Sequence, residues 1–314
     1  MNLDLSVIIV NHHTKVFLEN CLDSLIRTMP AVKYEILLIN NTPLDGSSEM
    51  VAEKFPMIRV IENPECLGYA RNNNIGLKNT GGKYVWLLNP DTEIKPDACR
   101  IMLDFLEEHQ DVAMVGPRYL NPDNTIQPLS CNRFPGLFND FLQFFFISQM
   151  FPRNRLLSGL LYPQIWDNMP FQVDALVGAS IIFRREIIEK AGSLDESFYM
   201  FFEETDWCFR LRKAGWKIWL VPQAEIIHFG SGSANGNLGR SRIIYYQSYL
   251  HYYRKHHGKI KTLIAKILLF CGLLMRVIYW FIYDKLPFTD SRKRNEKYIQ
   301  WKTPFKWLIL GENK

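Results

Sequence analysis

Two short stretches hold most of this chain's capacity for chemistry. Tyr84-Val85-Trp86-Leu87-Leu88 is an apolar run that ends in Asn89-Pro90-Asp91-Thr92, so Asn89 and Asp91 lie two positions apart at its exit. A hard divalent cation takes oxygen ligands, and Asp91 offers one that carries charge. A cation held there could neutralise a pair of phosphates. Asn-Pro-Asp after a strand is also a common turn. The second stretch is Phe198-Tyr199-Met200-Phe201-Phe202-Glu203-Glu204-Thr205-Asp206-Trp207, with three carboxylates following an aromatic run. Acids favour the N-terminal end of a helix dipole. That accounts for one acid better than for three beside an apolar wall. Like charges and partial burial raise a carboxyl pKa and make a usable base.

Two weaker signals stand apart. His228 follows a strand-like segment and precedes Gly230-Ser231-Gly232-Ser233. A lone His is more often a packed or surface residue than a metal ligand. Asn63, Gly68, Arg71, Asn72, Asn73, Asn74 and Gly76 make a polar, glycine-punctuated segment. Arg71 could pair with phosphate, or simply lie on a solvated helix face.

The elements that must position these residues are legible as alternation. Residues 5–10, 35–39, 58–62 and 84–88 are short apolar runs of the kind that make buried strands. Between them, Leu18, Cys21, Leu22, Leu25, Ile26 and Met29 mark one face of a helix that stops before Pro30. Segments 47–55, 70–78 and 96–109 are helical in pattern, the last with Pro near its first turn. Strands alternating with helices predict parallel βαβ units covered on both faces. Ligands in such sheets bind beyond the carboxyl ends of the strands, which here means Asn11, Asn40 and Asn89 to Asp91. Residues 117–172 break the pattern, with an irregular course and one apolar run at 141–147. Regularity returns with a strand at 173–183, helices at 185–191 and 205–214, and strands at 217–221 and 225–228.

The chain has 314 residues and a net charge of +5, with Lys and Arg crowded among aromatics between Arg240 and Lys306. Such placement suits an anionic surface better than an even solvated face. The six cysteines, Cys21, Cys66, Cys99, Cys131, Cys208 and Cys271, are scattered and include no CxxC pair. A disulfide framework or zinc site is not expected, and a reducing compartment is. No basic, cleavable leader precedes the first strand.

Taken in order, the pieces are specific. Asn63-x₄-Gly68-Tyr69-Ala70-Arg71-Asn72-x-Asn74-x-Gly76, Leu88-Asn89-Pro90-Asp91-Thr92, Asp195-Glu196-x-Phe198, Glu203-Glu204-x-Asp206 and His228 form an ordered set. The set resembles glycosyltransferase family 2, in particular its bacterial rhamnosyltransferase-like branch, from Leu5 to about His257. The resemblance implies a GT-A fold, α/β with a mostly parallel Rossmann-like sheet, over residues 1–240. Residues 1–116 would be the nucleotide-sugar half and 117–240 the acceptor half, followed by a helical, membrane-associating extension at 241–314. It implies inverting transfer from a nucleotide diphosphate sugar, dTDP-rhamnose or a UDP-sugar, with Mg²⁺ or Mn²⁺. The acceptor would be a hydroxyl of a glycan or lipid-linked glycan in bacterial surface polysaccharide synthesis.

On matching positions, the metal-binding motif falls on Asn89 and Asp91, with His228 completing the shell. Asn stands where the first acid is usual, so Asp91 is the main ligand. The base falls on Glu204, a longer acid than the usual Asp, with Glu203 and Asp206 able to share the role. Donor contacts fall on Val10, Asn11, Asn40, Asn63, Gly68, Arg71, Asn72, Asn89 and Asp91. Acceptor contacts fall on Gly178, Ala179 and Asp195. Asn40 replaces an acid that accepts a hydrogen bond from a pyrimidine, and an amide oxygen can do the same more weakly.

The tail has its own logic. Residues 267–283 are strongly apolar but interrupted by Arg276, and a little short of the roughly 20 residues that cross a bilayer. Flanking Lys, Arg and Tyr favour a helix lying on the inner face of the membrane of a cytoplasmic enzyme. A soluble core helix and a true span are the alternatives. No nucleic-acid partner is expected, and homo-oligomerisation stays open. A processive polymer synthase would need a Gln-x-x-Arg-Trp motif and several spans, which the chain lacks. A nucleotidyltransferase would need a glycine-rich basic loop after the first strand, where Asn11-His12-His13-Thr14 stands. A non-catalytic sugar- or nucleic-acid-binding protein would leave the acids at 203–206 without purpose.

Overall fold

The computed structural model describes residues 3–65, 67–230, 238–284 and 291–311. Cys66, the Gly/Ser loop at 231–233 and the side chains of Arg292, Lys293 and Arg294 lie outside what is described. The chain forms two compact units, one of Met1–Phe134, Leu161–Tyr199 and Glu203–Ser233, the other of Pro135–Leu160, Met200–Phe202 and Ala234–Lys314. The extension expected from 241 thus gathers two earlier stretches into its own unit.

The first unit opens with the expected alternation. It runs β1 (Leu5–Asn11), α1 (Lys15–Thr28), β2 (Tyr34–Asn40), α2 (Ser47–Lys54), β3 (Arg59–Glu62), α3 (Tyr69–Lys78) and β4 (Tyr84–Leu88). β3, β2, β1 and β4 are neighbours and run parallel. Their apolar runs are nearly unbroken because both faces are covered. Val7, Ile9, Leu38, Trp86 and Leu88 face a core shared with Leu18, Leu22 and Met50. The alternate residues Ile8, Leu37, Ile39, Val85 and Leu87 face a second core with Ala70, Leu77 and Trp207.

The second half departs from a parallel plan. β5 (Thr92–Ile94), α4 (Ala98–Glu108), β6 (Val112–Leu120) and β7 (Cys131–Asn132) follow in this unit. α5 (Leu137–Phe144) and α6 (Ile147–Met150) belong to the other. Then come β8 (Phe171–Gln172), β9 (Ala175–Leu176), β10 (Ser180–Arg184), α7 (Ile187–Ala191), α8 (Glu203–Lys213) and β11 (Lys217–His228). β10 inserts antiparallel between β4 and β6, while β6 and β11 pair in parallel. The strand expected over 173–183 is two strands broken at 177–179. The two strands expected at 217–221 and 225–228 are one, with a register shift between Val221 and Glu225. Cys21, Cys99, Cys131, Cys208 and Cys271 are free thiols.

The second unit holds α5, α6, α9 (Leu238–Asp284) and α10 (Ser291–Leu310), with α9 packed on both α5 and α10. α9 is broken at Gly258, whose φ of 76° is left-handed and outside helical geometry. Arg276, which interrupts the apolar run in the sequence, is only 6% exposed. Its guanidinium donates to the carbonyls of Phe144, Gln143 and Gly272. Two of these lie at the C-terminal end of α5, where carbonyls lack helical partners and cations are favoured. Asp140 of α5 is 2% exposed and accepts hydrogen bonds from the phenols of Tyr249 and Tyr253.

Candidate active site

The site assembles at the carboxyl ends of the strands of the first unit, around the short loop that holds Gly178 and Ala179. Asn89 leaves β4, and its backbone N–H donates to Ala179 O at 2.8 Å. Tyr69 Oη, at the start of α3, donates to Gly178 O at 2.7 Å. Tyr119 Oη, near the end of β6, donates to Val177 O at 2.8 Å and accepts the Ser180 N–H at 2.7 Å. Loop 177–179 therefore ties three motifs to one another, which places Gly178 and Ala179 at its centre. Gly68 allows α3 to reach this corner. A Cβ there would meet Tyr199 O at 2.1 Å, well inside contact distance.

Asp91 and His228 meet through strand pairing. β5 runs antiparallel to β11 with Thr92 opposite His228, and Phe229 N–H donates to Asp91 O at 3.0 Å. Asp91 is 6% exposed, and its Oδ1 lies 3.7 Å from His228 Nε2, beyond hydrogen-bond length. Gln127 decides the tautomer. Its Nε2 donates to His228 O, so its Oε1 is the atom 3.2 Å from His228 Nδ1. Nδ1 must then carry the proton, which leaves the Nε2 lone pair facing Asp91. Burial lowers the His228 pKa, against the pull of Asp91, and keeps the ring neutral. A neutral imidazole oriented through its other nitrogen beside a carboxylate suits a divalent cation. Asn89 is half-buried, and its hydrogen bonds run through the backbone. Among the described residues no group of three His, Cys, Asp or Glu surrounds one point.

The acids at the start of α8 divide sharply. Asp206 is fully buried and paired with Arg210 at 2.8 Å, and that guanidinium also donates to Ala191 O and Ser193 O. It anchors α8 to the segment after α7. Glu203 and Glu204 each keep one buried oxygen without a hydrogen-bond partner. Burial pushes the Glu204 carboxyl up to about 7, with the backbone N–H groups of Glu204, Gly178 and Thr205 pulling the other way. Glu203 is also raised well above the ordinary carboxyl range, by burial and then by the charge of Glu204. The two carboxyls titrate as a pair, and the charge of one disfavours ionisation of the other. Tyr69 lies in the field of both glutamates. Tyr119 lies in the fields of Glu204 and Asp91, with its ring 5.4 Å from that of His228. This tyrosine joins the acid pair to the Asp91–His228 pair.

The donor corner is largely committed to itself. Asn40 is fully buried; its Oδ1 accepts from Asn11 Nδ2 at 2.9 Å and its Nδ2 donates to Ser48 Oγ at 2.8 Å. Its amide oxygen thus accepts one internal bond of the two that such an oxygen can take. Asn63 donates to Asn72 at 2.7 Å, and Asn72 donates to the carbonyls of Leu67 and Gly68. Val10 packs against the core. Arg71 is half-exposed and leans on Glu196 at 3.3 Å. Asp195 Oδ1 accepts the Ser197 N–H and hydroxyl, closing the turn before Phe198. Asp45 was not singled out in the sequence, yet it supplies the charge here. Burial opposes its ionisation, but donors from Ser47, Asn11 and Thr42 hold its carboxyl below the usual range.

Tyr119 and Gln127 escaped the sequence because each acts through a fold contact rather than a spacing. His228 and Gln127, for example, are 101 positions apart.

Residues 6–192 match the pattern of Glycosyl transferase family 2. An N-acetylglucosaminyl-diphospho-decaprenol L-rhamnosyltransferase of Mycobacterium tuberculosis is 26% identical over 62% of this chain and 66% of its own length. The chain thus matches a little under two thirds of that relative. The low-salt glycan biosynthesis hexosyltransferase Agl10 of Haloferax volcanii is 26% identical over 72% of this chain and 67% of that protein. The dTDP-rhamnosyl transferase RfbF of Shigella flexneri is 19% identical over 73% of this chain and 70% of that protein. Among solved structures, GalNAc-T7 with UDP, GalNAc and Mn²⁺ aligns with a TM-score of 0.60 and 17% identity. That alignment covers 99% of this chain and 56% of that one, and the likeness is one of GT-A fold. With more than half of its length matched, on a sheet that carries the family's motifs at its strand ends, this chain belongs to glycosyltransferase family 2.

Proposed function

We propose that this protein transfers a sugar, with inversion, from a nucleotide diphosphate donor to an acceptor hydroxyl. The observation that carries the reading is the pairing of Glu204, raised to about 7, with Asp91 and neutral His228 around Tyr119. Asp91 Oδ1 and His228 Nε2 would hold a divalent cation, which supplies positive charge against the departing diphosphate. Glu204, ionised near neutral pH, takes the proton from the acceptor hydroxyl as its oxygen attacks the anomeric carbon. Burial and the charge of Glu204 disfavour ionisation of Glu203 beside it, which limits competing negative charge. Asp206 holds α8 in place through Arg210. The 177–179 loop, fixed by Tyr69 and Tyr119, gives Glu204 a backbone hydrogen bond from Gly178, which supports assigning the loop to the acceptor side. At the donor corner, Asn11 Nδ2 joins Asp45 to Asn40, and Asp45 adds negative charge beside the amide that would accept from a nucleobase N–H.

The activities of the relatives favour dTDP-rhamnose as donor and a lipid-linked glycan as acceptor, in surface polysaccharide synthesis. Membrane contact fits this acceptor. Ile267, Ile278, Phe281 and Ile282 of α9 are each about half exposed. The stretch Leu238–Tyr283 contains a window of mean hydropathy 1.9, of which 28% is buried. By length and composition it could cross a bilayer. The basic flanks support a helix lying at the cytoplasmic face.

Release of nucleoside diphosphate from a panel of nucleotide sugars, with metal and with chelator, tests the reading. A strong metal-dependent signal with dTDP-rhamnose or a UDP-sugar is expected. Absence of release from every donor, in the presence of a lipid-linked acceptor and metal, would overturn it.

A further inference from the structure

Within the helical unit, two arginines share one aromatic site. Arg242, near the start of α9, lies 3.6 Å over the ring of Trp301 in α10. Arg276, further along α9, lies 5.1 Å from the same ring and 4.2 Å from Phe146. Both guanidinium groups keep an Nε atom that is buried and without a hydrogen-bond partner. Among the described residues neither forms a salt bridge with a carboxylate. Arg276 is satisfied only by neutral carbonyls, and Arg242 by the phenol of Tyr246. Guanidinium groups do not deprotonate in proteins, so two positive charges sit in a half-dry site and repel one another. Uncompensated buried charge is costly, and a fold that keeps two such charges together gains most from an anion between them.

Beside them lies a cavity of about 490 Å³ lined by Phe146, Arg242, Tyr279, Trp280, Gln300 and Trp301. That volume falls in the range of organic ligand sites and far exceeds a bare phosphate. Four of its six lining residues are aromatic. Chemistry of this kind suits a ligand with a charged head and an apolar body. Along α9 next to Tyr279 and Trp280, Ile278, Phe281 and Ile282 are exposed at 48%, 49% and 58%. Tyr and Trp beside exposed aliphatic groups are characteristic of a membrane–water boundary.

We infer that this cavity binds the phosphate head of a membrane amphiphile, with Arg242 donating to the phosphate and Trp280 and Trp301 flanking the first part of its chain. The site differs from the sugar-transfer centre and rests on none of its residues. It deepens the membrane part of the proposed function by assigning a ligand class to one cavity. Two sources share this chemistry, an anionic phospholipid headgroup and an isoprenyl diphosphate.

The test is ligand binding, not turnover, so its failure is distinguishable from failure of the glycosyl-transfer reading. Full-length protein is titrated with geranyl diphosphate, dihexanoyl phosphatidylglycerol and inorganic pyrophosphate, each below any micelle threshold, while tryptophan emission is followed. Saturable change with either amphiphile is expected, and the stronger of the two identifies the source. Arg242→Gln should weaken that binding by about tenfold or more, the scale of a charge-assisted hydrogen bond. Arg242→Lys, which keeps the charge and loses the planar fork, should fall between. Thermal melting checks that each variant folds, and Trp280→Phe gives an independent variant if Arg242→Gln does not. Pyrophosphate binding as tightly as the amphiphiles would overturn the assignment. So would amphiphile affinity equal in wild type and in a folded Arg242→Gln or Trp280→Phe.

Discussion

Two buried carboxyl centres, one in each unit, titrate in the same range and do opposite things. Asp140 in α5 is pushed up to about 6 by burial, yet its Oδ2 accepts from both Tyr253 and Tyr249. Glu204 in α8 is pushed up to about 7 by burial, and its Oε2 has no partner. A raised pKa alone therefore does not mark a catalytic group. What distinguishes the two is whether the remaining hydrogen-bonding capacity is already spent. Asp140 is closed by its tyrosines and serves the packing of α5 on α9. Glu204 keeps an oxygen unspent, which is the atom the proposed role as base would use.

The largest expected effect breaks this contrast from the catalytic side. Glu204→Gln should preserve donor binding and the fold but lower turnover by roughly 10²–10⁴-fold, as for loss of a general base. Asp140→Asn should leave turnover per folded molecule near that of wild type. If single-turnover assays show the reverse, the reserve oxygen is not the distinguishing feature. The pH profile follows the same logic. A base must be ionised, so the rate should rise as pH passes through about 7, and the rise should vanish in Glu204→Gln.

Asp140 gives the next effect, in stability. Asp140→Ala leaves the hydroxyls of Tyr249 and Tyr253 buried without their acceptor, at about 1–3 kcal/mol each. Urea unfolding of the full chain measures it. The sign of the pH dependence is fixed by the raised pKa. Stability from the neutral carboxyl is fully present below its ordinary 3.8 and is lost as pH rises through about 6. That loss is about 3 kcal/mol. Glu204 adds to the same trend, so the Asp140→Asn and Glu204→Gln variants should each flatten part of it. A wild-type stability that climbs from pH 4 to 7 would contradict both assignments.

This contrast also shows what the sequence could and could not convey. The strands and helices of the parallel half are legible because burial on both faces writes unbroken apolar runs, such as Tyr84 to Leu88. Strand direction is not legible from such a run, so β10 was expected without its antiparallel insertion. Glu203, Glu204 and Asp91 stand out by type and spacing, and His228 only through the family resemblance. Whether an acid is spent or available depends on distant partners. Asp206 and Glu204 look equivalent in sequence, and only the ion pair with Arg210 separates them. Asp140 lies 109 positions from Tyr249, and no local pattern joins them. The bonds that Asn40 makes with Asn11 and Ser48 are hidden from the sequence for the same reason.

A smaller effect is expected at the metal pair. His228 is oriented by Gln127, so His228→Ala should raise the metal concentration for half-maximal rate by about 10–100-fold. Gln127→Ala, which removes only the orienting group, should shift it less. An unchanged metal titration in both variants would make His228 a packing residue against Tyr119.

The smallest effect tests the contrast at the surface. Arg71 was expected to meet the donor phosphates, but its Nε is paired with Glu196 at 3.3 Å, and both side chains are about half exposed. An ion pair in that setting contributes about 0–1 kcal/mol and is screened by salt. By the criterion that separates Asp140 from Glu204, Arg71 is spent, though only weakly, because an exposed pair is readily exchanged for water or for a stronger anion. Arg71→Ala should then change the donor dissociation constant by less than about fivefold, which corresponds to 1 kcal/mol. Calorimetry at low and moderate salt is the measurement. A tenfold loss that shrinks as salt rises would mean that diphosphate displaces Glu196 and captures Arg71. Glu196→Gln separates the cases, because releasing Arg71 from its partner should then tighten donor binding, whereas a purely structural pair would leave it unchanged.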